Sequence, residues 1–107
     1  MNKYTGLSDF EINKKVAEKL GLAYEVTRYG VVTRMSNKEQ WREFDPCNNP
    51  ADAMPIIIEN KIGLSPMYHS NKWTADCLDY DFISVNKNPL RAAMELFLLM
   101  KDAENEG

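Results

Sequence analysis

The stretch Phe44-Asp45-Pro46-Cys47-Asn48-Asn49-Pro50-Ala51-Asp52-Ala53-Met54-Pro55-Ile56-Ile57-Ile58 constrains this chain most, because a polar turn runs straight into an apolar helical segment. Asn49 can cap a helix, Pro50 falls at the first helical position where its missing N–H costs nothing, and Asp52 faces the positive end of the helix dipole. Pro55 predicts a kink or a first turn that is not yet α. Ile56, Ile57 and Ile58 form a block that suits a segment covered on more than one side. The same start recurs at Asn88-Pro89, and at the same offset Tyr29 aligns with Tyr68 and Trp41 with Tyr80, a pattern that suits a repeated hairpin-helix unit.

The remaining elements hang on these two helices. Ser8 and Glu11 form a capping box, Leu7 and Ile12 a hydrophobic staple, and Ile12, Val16 and Leu20 recur at helical spacing up to Gly21, a C-terminal cap. Residues 22–29 and 31–35 are rich in β-branched and aromatic types around Gly30, which predicts two strands. Residues 64–68 read as an edge strand because Pro66 cannot donate to a ladder. Residues 73–77 alternate as its hairpin partner, and residues 79–85 give a further short strand. In the last helix Leu90, Ala93, Met94, Phe97, Leu98 and Met100 build an apolar stripe, with Arg91, Glu95 and Lys101 expected on the wetter side. The order α-β-β-α-β-β-(β)-α predicts a single α+β domain over residues 1–101, sandwich-like, with one antiparallel sheet of four to five strands covered by three helices. Residues 102–107 read as a flexible acidic tail.

Composition narrows function mostly by exclusion. A chain of 107 residues with 44% hydrophobic and 27% charged residues fits one globular domain. A net charge of -3 gives no general attraction to nucleic acid or to an anionic membrane. The longest apolar run, residues 94–100, is far short of the roughly 20 residues a membrane helix needs. The first residues lack the apolar core of a signal peptide, so the cytoplasm of a host cell is the expected location. Cys47 and Cys77 form no Cys-x-x-Cys and read as thiols.

Three segments carry a family resemblance: 44–57, Lys87-Asn88-Pro89-Leu90-Arg91-Ala92-Ala93-Met94, and Leu7-Ser8-Asp9-Phe10-Glu11-Ile12-Asn13. In them the chain resembles the NinX-type family of small phage and prophage proteins of lambdoid phages. The resemblance implies a phage accessory protein with a sandwich-like α/β/α arrangement. It implies no reaction and no catalytic residues.

No catalytic or cofactor-binding constellation assembles from the residues. Asp45, Cys47, Asn48 and Asn49 precede a helix N-terminus, where free N–H groups could hold an anionic, nucleotide-like ligand with Arg91 as counter-charge; capping by these same side chains is the plainer reading and the one favoured. A Cys47 nucleophile would need His69, which reads as a hairpin-turn residue. Cys47, Cys77, His69 and the carboxylates show no zinc-like spacing, and no metal is expected. Tyr24, Tyr29, Trp41, Tyr68, Trp73 and Tyr80, with Arg28, Arg34, Arg42 and Lys72 nearby, have the composition of a stacking face or an interface hot spot, Trp41, Tyr68 and Trp73 foremost, although core packing and ordinary strand composition are the plainer explanation. The expectation is a non-enzymatic module without cofactor that binds a host or phage protein. An anionic-ligand module starting at Asn49 is the alternative, nucleic acid is disfavoured, and a homodimer stays open.

Overall fold

The computed structural model describes residues 2–106. Helix α1 (Asp9–Leu20) begins with the capping box: the Glu11 N–H donates to Ser8 Oγ at 3.1 Å, and the Ser8 N–H donates to Glu11 Oε1 at 3.3 Å. It ends at Gly21, whose φ of 73° closes the helix in the left-handed region open to glycine. Strands β1 (Ala23–Thr27) and β2 (Gly30–Arg34) form a hairpin around the two-residue turn Arg28-Tyr29, and Gly30 takes a φ of 140°, which glycine adopts freely and a residue with a Cβ would not. A short β3 (Arg42–Glu43) pairs with β2. Helix α2 (Pro50–Glu59) leads into β4 (Gly63–Pro66), β5 (Trp73–Asp76) and β6 (Ser84–Asn86), and α3 (Pro89–Glu106) closes the described chain.

The strands make two antiparallel three-stranded sheets, β1-β2-β3 and β4-β5-β6, instead of the single sheet of four to five strands expected from the sequence. The α+β class and the three helices are as expected. The physical reason for the division lies in α3. Residues 91–98 are all buried, so this helix must be covered on every side, which one sheet cannot do. The first sheet packs on α1, the second on α3, and α1, α2 and the second sheet all pack against α3. Helices α1 and α3 therefore lie between the sheets. Phe97, Met94, Leu96 and Leu98 are fully buried, with Ile12 and Val16 of α1 in the same core. Each such side chain contributes roughly 1.5–3 kcal/mol of hydrophobic stabilisation.

Two details of α3 correct the sequence reading. Arg91 and Glu95 do not face solvent: they are 6% and 0% exposed and pair with each other across one helical turn, Nε to Oε2 at 2.7 Å. A stripe pattern cannot tell a wet polar face from a buried ion pair, since both put charge at the same spacing. The helix also continues through residues 102–106, where Asp102 accepts a hydrogen bond from the Tyr4 hydroxyl and pairs with Lys3 at 2.9 Å. Gly107 lies outside the described residues. Pro55 sits inside α2 without dividing it. The last strand begins at Ser84, later than residues 79–85 suggested.

The repeated unit exists as an order of elements: three strands, then a helix, twice. Both helix starts are capped alike, with Asn49 Oδ1 accepting from the Ala51 N–H at 3.0 Å and Asn88 Oδ1 from the Leu90 N–H at 2.9 Å. Tyr29 and Tyr68 both stand in hairpin turns, yet the turns differ in length, 28–29 against 67–72. Trp41 directly precedes β3, whereas Tyr80 lies in the connection before β6, so that pair is not equivalent.

Candidate functional site

Helix α1, the β1–β2 hairpin and the loop 44–49 meet around a cleft of about 310 Å³. Each wall is held by side chains whose place the sequence determines. Asn13 is a polar residue on the buried side of α1 and only 5% exposed. Its Nδ2 donates to Asp45 Oδ1 at 2.7 Å and its Oδ1 accepts from the Cys47 N–H at 3.1 Å, so one buried amide satisfies both a carboxylate and a backbone group of the loop. The Asp45 N–H in turn donates to Asp52 Oδ2 at 2.9 Å, and the Asp45 carbonyl accepts from the Asn49 N–H at 2.7 Å.

Asn48 closes the floor. Its Nδ2 donates to Asp9 Oδ2 and to Asp45 Oδ1, each at 3.2 Å, and its Oδ1 accepts from Asn88 Nδ2 at 3.2 Å. Asn88 Nδ2 also donates to the Cys47 carbonyl at 2.6 Å, which ties the loop to the start of α3. A loop bonded to α1, α2 and the start of α3 at once is held for a physical reason: moving it would break all of these bonds together and leave the buried Asn13 amide and Cys47 N–H unpaired.

Beneath this floor lies Arg91. Its Nη1 donates to Asp9 Oδ1 at 2.6 Å, its Nη2 to the carbonyls of Tyr4 at 3.0 Å and Leu7 at 2.6 Å, and its Nε to Glu95. Burial alone would lower the guanidinium's pKa, but its hydrogen bonds to Asp9 and Glu95 outweigh burial and raise it. Glu95 Oε1 accepts further bonds from Asn2, Thr5 and Ser84. The guanidinium thus pins the N-terminal segment 2–8 across α3.

The residues singled out from sequence are distributed unevenly about the cleft. Asp45 and Asn48 line it. Cys47 is fully buried below, and burial, with the nearby charge of Asp9, pushes its thiol far up, which leaves it protonated and unreactive at neutral pH. His69 sits in the β4–β5 turn against the Tyr68 ring at 4.2 Å, and no hydrogen bond joins it to Cys47 among the described residues. Asn49 caps its own helix. Trp41 stacks with the Arg34 guanidinium at 4.3 Å, Tyr68 is 89% exposed in its turn, and Trp73 is half-buried at the start of β5. These three aromatics do not line the cleft.

Of the other members, sequence reasoning missed Asp9, Phe10, Asn13 and Glu43, whereas Tyr29 and Arg28 stood among its aromatic and basic candidates for a binding face. A signal for Asn13 was present, since it adjoins Ile12 on the face of α1 that also carries Val16 and Ala17. Tyr29 stands at 86% exposure over the cleft mouth with the Arg28 guanidinium 5.3 Å from its ring. Among the described residues the lining carries three carboxylates, Asp9, Glu43 and Asp45, against the single cation Arg28. Among the described residues no group of three potential metal ligands gathers, and no helix is long and apolar enough to cross a membrane.

The family model described as "Bacteriophage P22, NinX" matches residues 3–101, which contain every element that builds the cleft. The chain belongs to this family. This NinX-family chain is accordingly a phage protein, and its three resembling segments fall on α1, on the loop leading into α2, and on the start of α3, the parts joined by Asn13, Asn48 and Asn88. A comparison with curated proteins returns no match.

Proposed function

We propose that this phage accessory protein acts without catalysis, by binding a host or phage protein at the cleft beside α1 and so occluding a surface of that partner. The observation that carries the reading is Tyr29: a large aromatic ring, almost fully exposed, paired with Arg28 over a floor that is already fixed by hydrogen bonds. Exposed Tyr and Arg on a rigid surface are what binding hot spots are built from, because little freedom remains to be lost on association. The anionic-ligand reading at Asn49 has less behind it. Asn49 already satisfies the α2 N-terminus, the donors of Arg91 already have internal acceptors, and an anion in the cleft would meet three carboxylates.

The test is affinity capture from phage-infected cells with the wild-type chain and with Tyr29→Ala, Glu43→Lys and Tyr68→Ala variants. The proposal expects one stoichiometric protein that is lost with the first two substitutions and retained with the third. Capture of no stoichiometric protein, or equal capture by all four chains, would overturn it. A captured second copy of the chain itself would turn the cleft into a homodimer interface.

A further inference from the structure

A second concavity, separate from the cleft, lies along the outer side of β6. It is a groove of about 550 Å³ walled by Phe82, Ile83 and Val85 around the strand, Leu99 of α3, and Asn2 and Thr5 of the N-terminal segment, with Lys72 completing the lining. Its volume is in the range, roughly 300–1,000 Å³, of ligand-holding pockets. Three properties define what would fit. The side chains that bound it are mostly apolar, and Ile83 is 54% exposed although it lies beside the core. The only charged lining residue is Lys72, and no carboxylate lies within 4.0 Å of its ammonium among the described residues. β6 is a three-residue edge strand bonded to β5 alone; Ser84 is buried, and the main chain left to an added strand is that of half-buried Val85 and Asn86.

We infer that this groove receives the C-terminal end of a partner polypeptide with apolar last residues, laid along β6 with its terminal carboxylate at Lys72. An added strand supplies main-chain bonds, alternate side chains enter the apolar walls, and the free carboxylate answers the one cation. A phosphate-rich ligand would meet a single positive charge, whereas a single terminal carboxylate matches it and gains one exposed ion pair over an internal segment. The walls are already in place: the Asn2 and Thr5 side chains are anchored on buried Glu95 at 3.1 and 3.5 Å, and Tyr4 and Lys3 clamp the same segment to Asp102. The site therefore accepts its ligand without first having to order itself.

The experiment is a titration of the isotope-labelled full chain, followed by backbone amide shifts, with three probes: an N-acetylated Ser-Thr-Val-Val-Ile peptide as free acid, the same peptide as C-terminal amide, and decanoate. The free acid should move the amides of Ile83, Val85 and Leu99 saturably and bind at least about threefold more tightly than the amide, as expected of one partly solvated ion pair. Lys72→Gln should abolish that difference while leaving the amide's affinity unchanged, Ile83→Glu should weaken both peptides, and Tyr29→Ala, in the separate cleft, should change neither. Equal affinity of acid and amide, or no saturable shift up to about 2 mM peptide, would overturn the inference. So would saturable binding of decanoate without binding of the peptide, which would make the groove a lipid site.

Discussion

Replacing Arg91 by leucine should cost this protein a large part of its stability, and the loss should come from Glu95 rather than from Asp9. The guanidinium joins both carboxylates, but the Asp9 side chain is 45% exposed and that of Glu95 is 0% exposed. Water can replace Arg91 at Asp9, so that half of the pair contributes at most about 1 kcal/mol. It cannot do so at Glu95, where removal of the cation leaves an uncompensated buried charge, a change that costs about 3–5 kcal/mol. Against a total of about 5–15 kcal/mol for a domain of ordinary stability, this is roughly a fifth or more, and it corresponds to a fall in Tm of about 12 °C or more. Urea unfolding followed by tryptophan fluorescence and circular dichroism measures it directly. The double variant Arg91→Leu/Glu95→Leu removes both charges and should recover most of the loss, finishing within about 2 kcal/mol of wild type, the residue being the Asn2, Thr5 and Ser84 donors left without Glu95. Asp9→Asn should cost less than about 1 kcal/mol. The reasoning is refuted if Arg91→Leu changes stability by less than about 1 kcal/mol, or if the double variant is no more stable than the single one.

The other predictions concern the ends of the same network. Tyr4 is raised above its ordinary 10.0 by burial and by its hydrogen bond to Asp102, so its contribution is complete below about pH 10 and is lost as the pH climbs above that; Tyr4→Phe should flatten the alkaline limb of a stability-against-pH curve. Burial pushes Asp102 up, but hydrogen bonds from Tyr4 and Lys3 outweigh it and hold the carboxyl below 3.8, so this contribution is present above about pH 4 and disappears as the pH falls further; Asp102→Asn should flatten the acid limb. Iodoacetamide at pH 8 should modify half-buried Cys77 well before Cys47 in the native protein, and peptide mapping by mass spectrometry reads the order. Asn13→Ala leaves the Cys47 N–H and one Asp45 oxygen without their partner and should cost about 1–3 kcal/mol in thermal or urea unfolding.

Local chemistry made most elements legible. Ser8, Glu11 and Gly21 delimit α1, Asn49-Pro50 and Asn88-Pro89 start the later helices, and Gly30 and Pro66 mark a turn and an edge. What the sequence left hidden was long-range. The division into two sheets depends on which helix each hairpin packs against, a choice that alternation within a strand does not encode. β3 is only two residues long and exposed, too short to show a period. Arg91 and Glu95 looked like a solvated face because ion-pair spacing is the same in water and in a core. Of the cleft, Asp45 and Asn48 were visible as turn residues before a helix and Tyr29 as an aromatic beside Arg28, but Asp9 and Asn13 come from a helix more than thirty residues earlier, and the reach of Tyr29 over α1 depends on how the first sheet is seated.

The measurement that bears most directly on the proposed role is native mass spectrometry of the protein recovered from phage-infected cells, with Tyr29→Ala recovered in parallel. A protein-binding accessory module should carry a discrete protein adduct of fixed stoichiometry that disappears in Tyr29→Ala while the variant keeps its folded charge-state distribution. A wild-type chain that flies only as bare monomer, or one that carries a small anionic adduct indifferent to Tyr29, would contradict the account.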